Sequence, residues 1–159
     1  MWKSIFKTTA LAGTMDITAA CIQSYFSAGV QPATVLRFVA SGVFGNTAFT
    51  GNESMLVFGL LFHFIIAFAC TACYFLLYPK IKLLHINWFA NAVAIAVVAW
   101  CVTTLIIRPL SNASPFTFDI TKSLISIAIL IVCIGLPISI SAEKFYKRKK
   151  IQINQNRSG

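Results

Sequence analysis

The chain has 159 residues, 58% of them hydrophobic and only 11% charged, with a net charge of +9 and a mean hydropathy of +0.80. A soluble domain of this size needs far more polar surface to cover its core, so the composition excludes one and implies lipid as the solvent. The basic excess would suit a nucleic acid, but its distribution along the chain, set out below, excludes that partner.

Four runs are apolar and long enough to cross a bilayer as helices, which need roughly 20 residues and satisfy their own backbone groups. They lie at about Ile5–Ala28, Ser54–Tyr78, Leu84–Ile107 and Asp119–Phe145. The fold class expected is therefore all-α, an integral membrane four-helix bundle. Residues 1–146 form a single transmembrane domain and 147–159 a basic cytoplasmic tail.

The start, "MWKSIFKTTALAGTMDITAAC", has the outline of a signal peptide, and "TAAC" resembles a lipoprotein cleavage box. Asp16 interrupts the apolar region and Thr18 stands where such a box wants Leu, so an uncleaved first span is expected. The next stretch, "GVQPATVLRFVASGVFGNTAFTGNES", is too long and too apolar for a simple loop. Pro32 suits a first helical position, and Val35, Leu36, Val39 and Val43 follow at helical spacing. They predict a short extracytoplasmic helix, interfacial or re-entrant, ended by Gly42 or Gly45. The second and third spans are joined on the inside by "PKIKLLHIN", a connection short enough to force them to be antiparallel neighbours. Pro109 and Pro115 stiffen the connection to the fourth span. Within that span "GLPIS" places Pro137 where it frees the carbonyl of Cys133 and should kink the helix. No internal repeat is present.

Lys3, Lys7, Lys80, Lys82, Lys144, Lys147, Arg148, Lys149, Lys150 and Arg157 fall on one side of this topology, and Arg37, Arg108 and Lys122 on the other. That is the positive-inside pattern, with both termini cytoplasmic. The tail should also be drawn to anionic headgroups, which makes membrane lipids the expected partner and leaves no call for nucleic acid. His85 is read as a solvated loop residue.

Charge at membrane depth carries the functional argument. Asp16 lies about 11 residues in from Ile5, or about 16 Å at 1.5 Å per residue, and His63 lies equally far in from the opposite side. Both reach the middle of a roughly 30 Å hydrocarbon layer, where an ionised side chain costs about 2.5 to 3.5 kcal/mol and so faces inward. The Asp16 stripe carries Thr9, Gly13, Ala20, Gln23 and Ser27; the His63 stripe carries Gly59, Ala67, Cys70 and Tyr74. Small residues on both let helices one and two approach closely. The pair could exchange a proton, bind a cation or hydrogen-bond a polar ligand. It could equally be a structural clasp that fixes helix register, or two residues that never touch.

The remaining features are weaker. Cys21, Cys70, Cys73, Cys101 and Cys133 all fall in spans, so a disulfide framework is not expected. The Cys-x-x-C of Cys70 and Cys73 has no partner thiol in any loop through which to pass electrons. No zinc set is positioned, since His63 and Cys70 stand two turns apart without further ligands. No metal, cofactor or catalytic residue is assigned. Asn91 is read as an interhelical hydrogen-bonding residue. Arg37 and Arg108 form an extracytoplasmic rim facing Glu53 and Asp119.

The segment from "HFIIAFACTACYFLLYPKIKLLHIN" through "LIIRPLS" and "SPFTFD" resembles the YagU-like small inner-membrane proteins of bacteria. The shared pattern is a His opening an apolar half-helix, a Tyr-containing helix end leading into "PKIKL", and "PLS" before a Pro and Asp turn. The resemblance implies a multi-spanning protein of the bacterial inner membrane with a link to acid tolerance. It carries over His63, Pro79, Pro109 and Asp119 without a role for any of them.

The function expected is thus non-enzymatic: a mid-membrane polar cavity at Asp16 and His63, supported by Gln23, Cys70 and Tyr74, that binds a small ligand, lipid or proton. One alternative is a membrane-embedded enzyme acting on a lipid or quinone; another is a structural subunit whose Asp–His pair is closed. Four short spans do not make a pore alone, so transport would require a homo-oligomer.

Overall fold

The structure, a computed structural model, describes residues 1–81, 84, 87–107 and 119–155. All regular structure among them is helical: α1 (Trp2–Ala28), α2 (Pro32–Phe44), the short α3 (Thr47–Thr50), α4 (Ser54–Leu77), α5 (Trp88–Cys101), α6 (Ile120–Leu130) and α7 (Leu136–Gln155). A π-helical stretch, Val102–Ile107, prolongs α5, and another, Ile131–Gly135, joins α6 to α7. Three helical stretches, Ser54–Leu77, Trp88–Leu105 and Ile120–Gln155, are long and apolar enough to cross a membrane. The 27 residues of α1 give it the length. Its hydropathy is lower, because Asp16, Gln23 and a run of threonines dilute its apolar residues.

Local chemistry sets the boundaries. Gly29 ends α1 in the left-handed conformation (φ 66°), with Val30 N–H donating to the Ser24 carbonyl as in a Schellman motif. Pro32 is the first residue of α2, where its missing N–H costs nothing, and Gly45 (φ 59°) closes that helix. Asn87 caps α5 by accepting from the N–H groups of Phe89 and Ala90, and Asp119 caps α6 by accepting from Lys122 N–H. Pro137 cannot donate to the Cys133 carbonyl and its ring crowds that oxygen. The wider π turn immediately before it absorbs the mismatch.

The packing is that expected where lipid replaces water outside. Val57, Ile65, Val98, Leu105, Ile120 and Leu124 are exposed, while Thr8, Thr9, Ser41, Thr71, Asn91 and Ser139 are buried. Small residues permit backbone contact. A Cβ on Gly59 would collide with the Leu36 carbonyl, and one on Gly135 with the Ala92 carbonyl; these two sites fasten α2 to α4 and the second π stretch to α5. At Gly13 an added Cβ would stand 2.8 Å from Phe64 Cε1, a side-chain contact of α1 with α4 that a shift of the ring could relieve.

One end of the molecule is filled by Ile5, Tyr74, Phe75, Tyr78, Ile138 and Ala142. Tyr146 Oη donates to the Phe75 carbonyl (2.8 Å) and stacks on Tyr78, and Trp2 and Phe6 pack on Phe68. Lys3, Lys7, Lys80 and the basic end of α7 therefore share this end, hereafter the tail end. Helices α2 and α3 cover the other.

Two expectations need correction. Helices α4 and α5 are not packed face to face: α4 lies against α1 and α2, and α5 against α6, the π stretch and α7. A nine-residue connection can span about 30 Å extended, whereas packed helices are only about 8–10 Å apart, so it need not join neighbours. The last helix also continues well past Phe145, to Gln155, because Lys, Arg and Gln are good helix formers once outside an apolar environment. Lys82, His85, Arg108, Pro109, Pro115 and Arg157 lie outside the described residues.

Candidate functional site

Asp16 and His63 do meet, but not as a hydrogen-bonded clasp. His63 Nε2 stands 2.9 Å from the Gly13 carbonyl oxygen and 3.9 Å from Asp16 Oδ2. A carbonyl only accepts, so Nε2 carries a proton and donates it to Gly13. The carboxylate, one helical turn further along α1, is left beyond hydrogen-bond range. The absence of a side chain at Gly13 is what exposes that carbonyl to α4. Both side chains are mostly buried, 12% exposed for His63 and 18% for Asp16.

The pair lines a cavity of about 430 Å³ that runs from mid-helix toward the α2 end of the molecule. Asp16, Ala20 and Gln23 come from α1, and His63, Ala67 and Cys70 from α4, so both stripes read from the sequence face the same space. The far wall was not foreseen. It is made by Trp100 and Thr103 on the α5 side and by Ser123 and Ser126 on α6, with Phe38 of α2 leaning over it. Gln23 Nε2 donates to Ser126 Oγ at 3.0 Å, which ties α1 to α6 across the cavity. Asp119 and Lys122 stand at its outer end, and Thr71 and Ile138 at its floor, above the aromatic plug.

The other residues singled out lie elsewhere. Tyr74 is 8% exposed in the tail-end core beside Tyr78 and is not part of the cavity. Its hydroxyl neighbours the Asn91 amide without a hydrogen bond of good geometry, and that amide donates instead to the Leu84 carbonyl at 2.6 Å. Arg37 Nη1 donates to the carbonyls of Ala48 (2.9 Å) and Gly51 (2.8 Å), so its charge fastens the α3 turn to α2. Among the described residues no three His, Cys, Asp or Glu side chains gather to hold a metal ion.

Most wall hydroxyls can satisfy themselves locally. Thr71 donates to Ala67 O, Thr103 to Ala99 O and Ser123 to Asp119 O, at 2.8–2.9 Å. Each keeps lone pairs for a guest. The cavity therefore offers the Asp16 carboxylate in its wall, the Asp119 carboxylate and Lys122 ammonium at its outer end, weak acceptors, and the aromatic side chains of Phe38 and Trp100.

Comparison with protein-family models, with curated proteins and with solved structures finds no match for the chain. The reading of the site rests on its own chemistry.

Proposed function

We propose that this chain is an integral membrane protein of four antiparallel spans, α1, α4, α5 with its π extension, and α6–α7, in which α2 and α3 form an extracytoplasmic cap. The observation that carries the reading is the cavity of about 430 Å³ with Asp16 and His63 in its wall. Such a space is kept because something occupies it: water, and in turn a small ligand, lipid or proton. The function proposed is binding in the membrane interior.

The charge distribution supports a bacterial inner-membrane location with both termini and the aromatic plug cytoplasmic, so that the cavity opens outward. Residues 1–146 then form one transmembrane domain, and the basic end of α7 contacts anionic lipid. The YagU-like resemblance is consistent with this assignment. Traffic across the membrane would require a second copy of the chain, because the plug closes the tail end of this one. The enzyme alternative called for a lateral opening to His63 and a basic rim at Arg37 and Arg108; Arg37 is taken up by backbone carbonyls, and Arg108 lies outside the described residues. The closed-clasp alternative needed an Asp–His hydrogen bond.

Thiol labelling tests the proposal. With Cys21, Cys73, Cys101 and Cys133 replaced by Ala, Cys70 should react with a small charged methanethiosulfonate added from the side opposite the tail, and Ser126→Cys should react faster. Labelling only after denaturation would mean a closed interior and would refute the reading.

A further inference from the structure

We infer that the cavity's guest is a small organic cation, an ammonium-type ion carrying apolar groups, with Asp16 as its counter-charge. The inference rests on the proposed cavity function and names its ligand class. Asp16 Oδ2 accepts no hydrogen bond from His63, whose Nε2 proton goes to Gly13, so the carboxylate keeps its acceptor capacity toward the cavity. The other carboxylate in the wall, Asp119, is spent on capping α6, and Lys122 stands with it at the outer end.

Each rival class leaves a wall group unexplained. An anion would meet the Asp16 carboxylate in the wall, with the lysine of the lining, Lys122, only at the outer end. An uncharged lipid or quinone would gain nothing from a mid-span carboxylate whose insertion is costly. A multivalent metal ion would want several hard ligands, and the described residues gather no such set. An organic cation uses the carboxylate for its charge and the aromatic side chains of Phe38 and Trp100, both in the lining, for its apolar groups. The volume of about 430 Å³ lies within the range of small-molecule pockets.

The chain supplies its own reporter. Of its three tryptophans only Trp100 lines the cavity, so a Trp2→Phe, Trp88→Phe background isolates its fluorescence. The full chain in mild detergent is titrated with tetraphenylphosphonium, and separately with uncharged triphenylphosphine oxide. The expected result is saturable quenching by the cation, weakened about tenfold or more by Asp16→Asn, retained in Asp16→Glu, and unchanged in Glu143→Gln, which removes a carboxylate at the tail end. Thermal melting of each variant shows that it is folded. Equal cation affinity in wild type and folded Asp16→Asn would overturn the inference. Quenching by the uncharged compound alone would overturn it too, while leaving the cavity function standing. If neither compound quenches Trp100 and Cys70 also resists labelling, the cavity function falls with it.

Discussion

The contact between Asp16 and His63 can be tested with a double-mutant cycle, because the two readings of the pair differ in magnitude. Were both side chains charged at 3.9 Å, Coulomb attraction at an effective dielectric of 20 would be worth about 4 kcal/mol. Removing either partner would then strand the other inside the membrane, and the coupling energy would be large. In its neutral form His63 instead contributes only the hydrogen bond from Nε2 to the Gly13 carbonyl oxygen at 2.9 Å, worth about 0.5–1.5 kcal/mol net, and the predictions below are those of the neutral form. His63→Gln should therefore lose about 1 kcal/mol, or about 2–4 °C for a chain of this length. Asp16→Asn, which removes a charge from the cavity wall and breaks no hydrogen bond, should leave stability within about 0.5 kcal/mol of wild type or raise it. The double mutant should be close to the sum, with a coupling below about 1 kcal/mol. Thermal melting of the four proteins in one detergent gives all the terms. A coupling above that value with both single mutants strongly destabilised would refute the neutral imidazole and make the pair an ionic clasp.

Other expectations follow from packing. Gly135→Ala and Gly59→Ala should each gain about 0.5–1 kcal/mol of helix propensity and lose more to collision with the Ala92 and Leu36 carbonyls, for a net loss of about 1–2 kcal/mol; melting points at or above wild type would count against the close approaches. Gly29→Ala has open space around it but a left-handed backbone, so it should cost only about 1 kcal/mol. Arg37→Met removes the hydrogen bonds to Ala48 and Gly51, worth about 1.5–3 kcal/mol for a charged donor; limited proteolysis should then cut near Gly51 sooner, and an unchanged pattern would contradict the staple. Tyr146→Phe forfeits the bond to the Phe75 carbonyl and should cost about 1 kcal/mol without altering Cys70 labelling.

The sequence was informative where a residue's chemistry has only one structural use. Pro32 and Gly45 mark the two ends of α2, and Asp16 and His63 had to turn inward at a common depth. It was silent where one residue type has many uses. Ser123, Ser126, Thr103 and Trp100 look like any residues of an apolar helix, and nothing in their spacing distinguishes a cavity wall from a packed seam. Tyr74 shares the His63 stripe, but 11 residues along a helix is about 16 Å, which carries it out of the cavity and into the plug. Arg37 could not be read as a staple, because its acceptors are backbone carbonyls, which leave no mark in the sequence. The separation of α4 from α5 was hidden for a related reason: loop length bounds distance without choosing a neighbour.

The cavity is a consequence of where the backbones come closest. Gly59 brings α4 onto α2 and Gly135 brings the π stretch onto α5, while the Gly13 carbonyl of α1 meets His63 of α4. Each is a contact between one pair of elements, made near the rim of the shared interior. Between those seams the facing positions are Ala12, Ala20, Ala67 and Ala99, too small to reach one another once the seams fix the helix spacing. Larger residues there would fill the space at no cost to membrane insertion, since Leu and Ile partition into lipid more readily than Ala. Small side chains around the Asp16 carboxylate are thus the opposite of what stability selects, and the proposed binding function accounts for the combination.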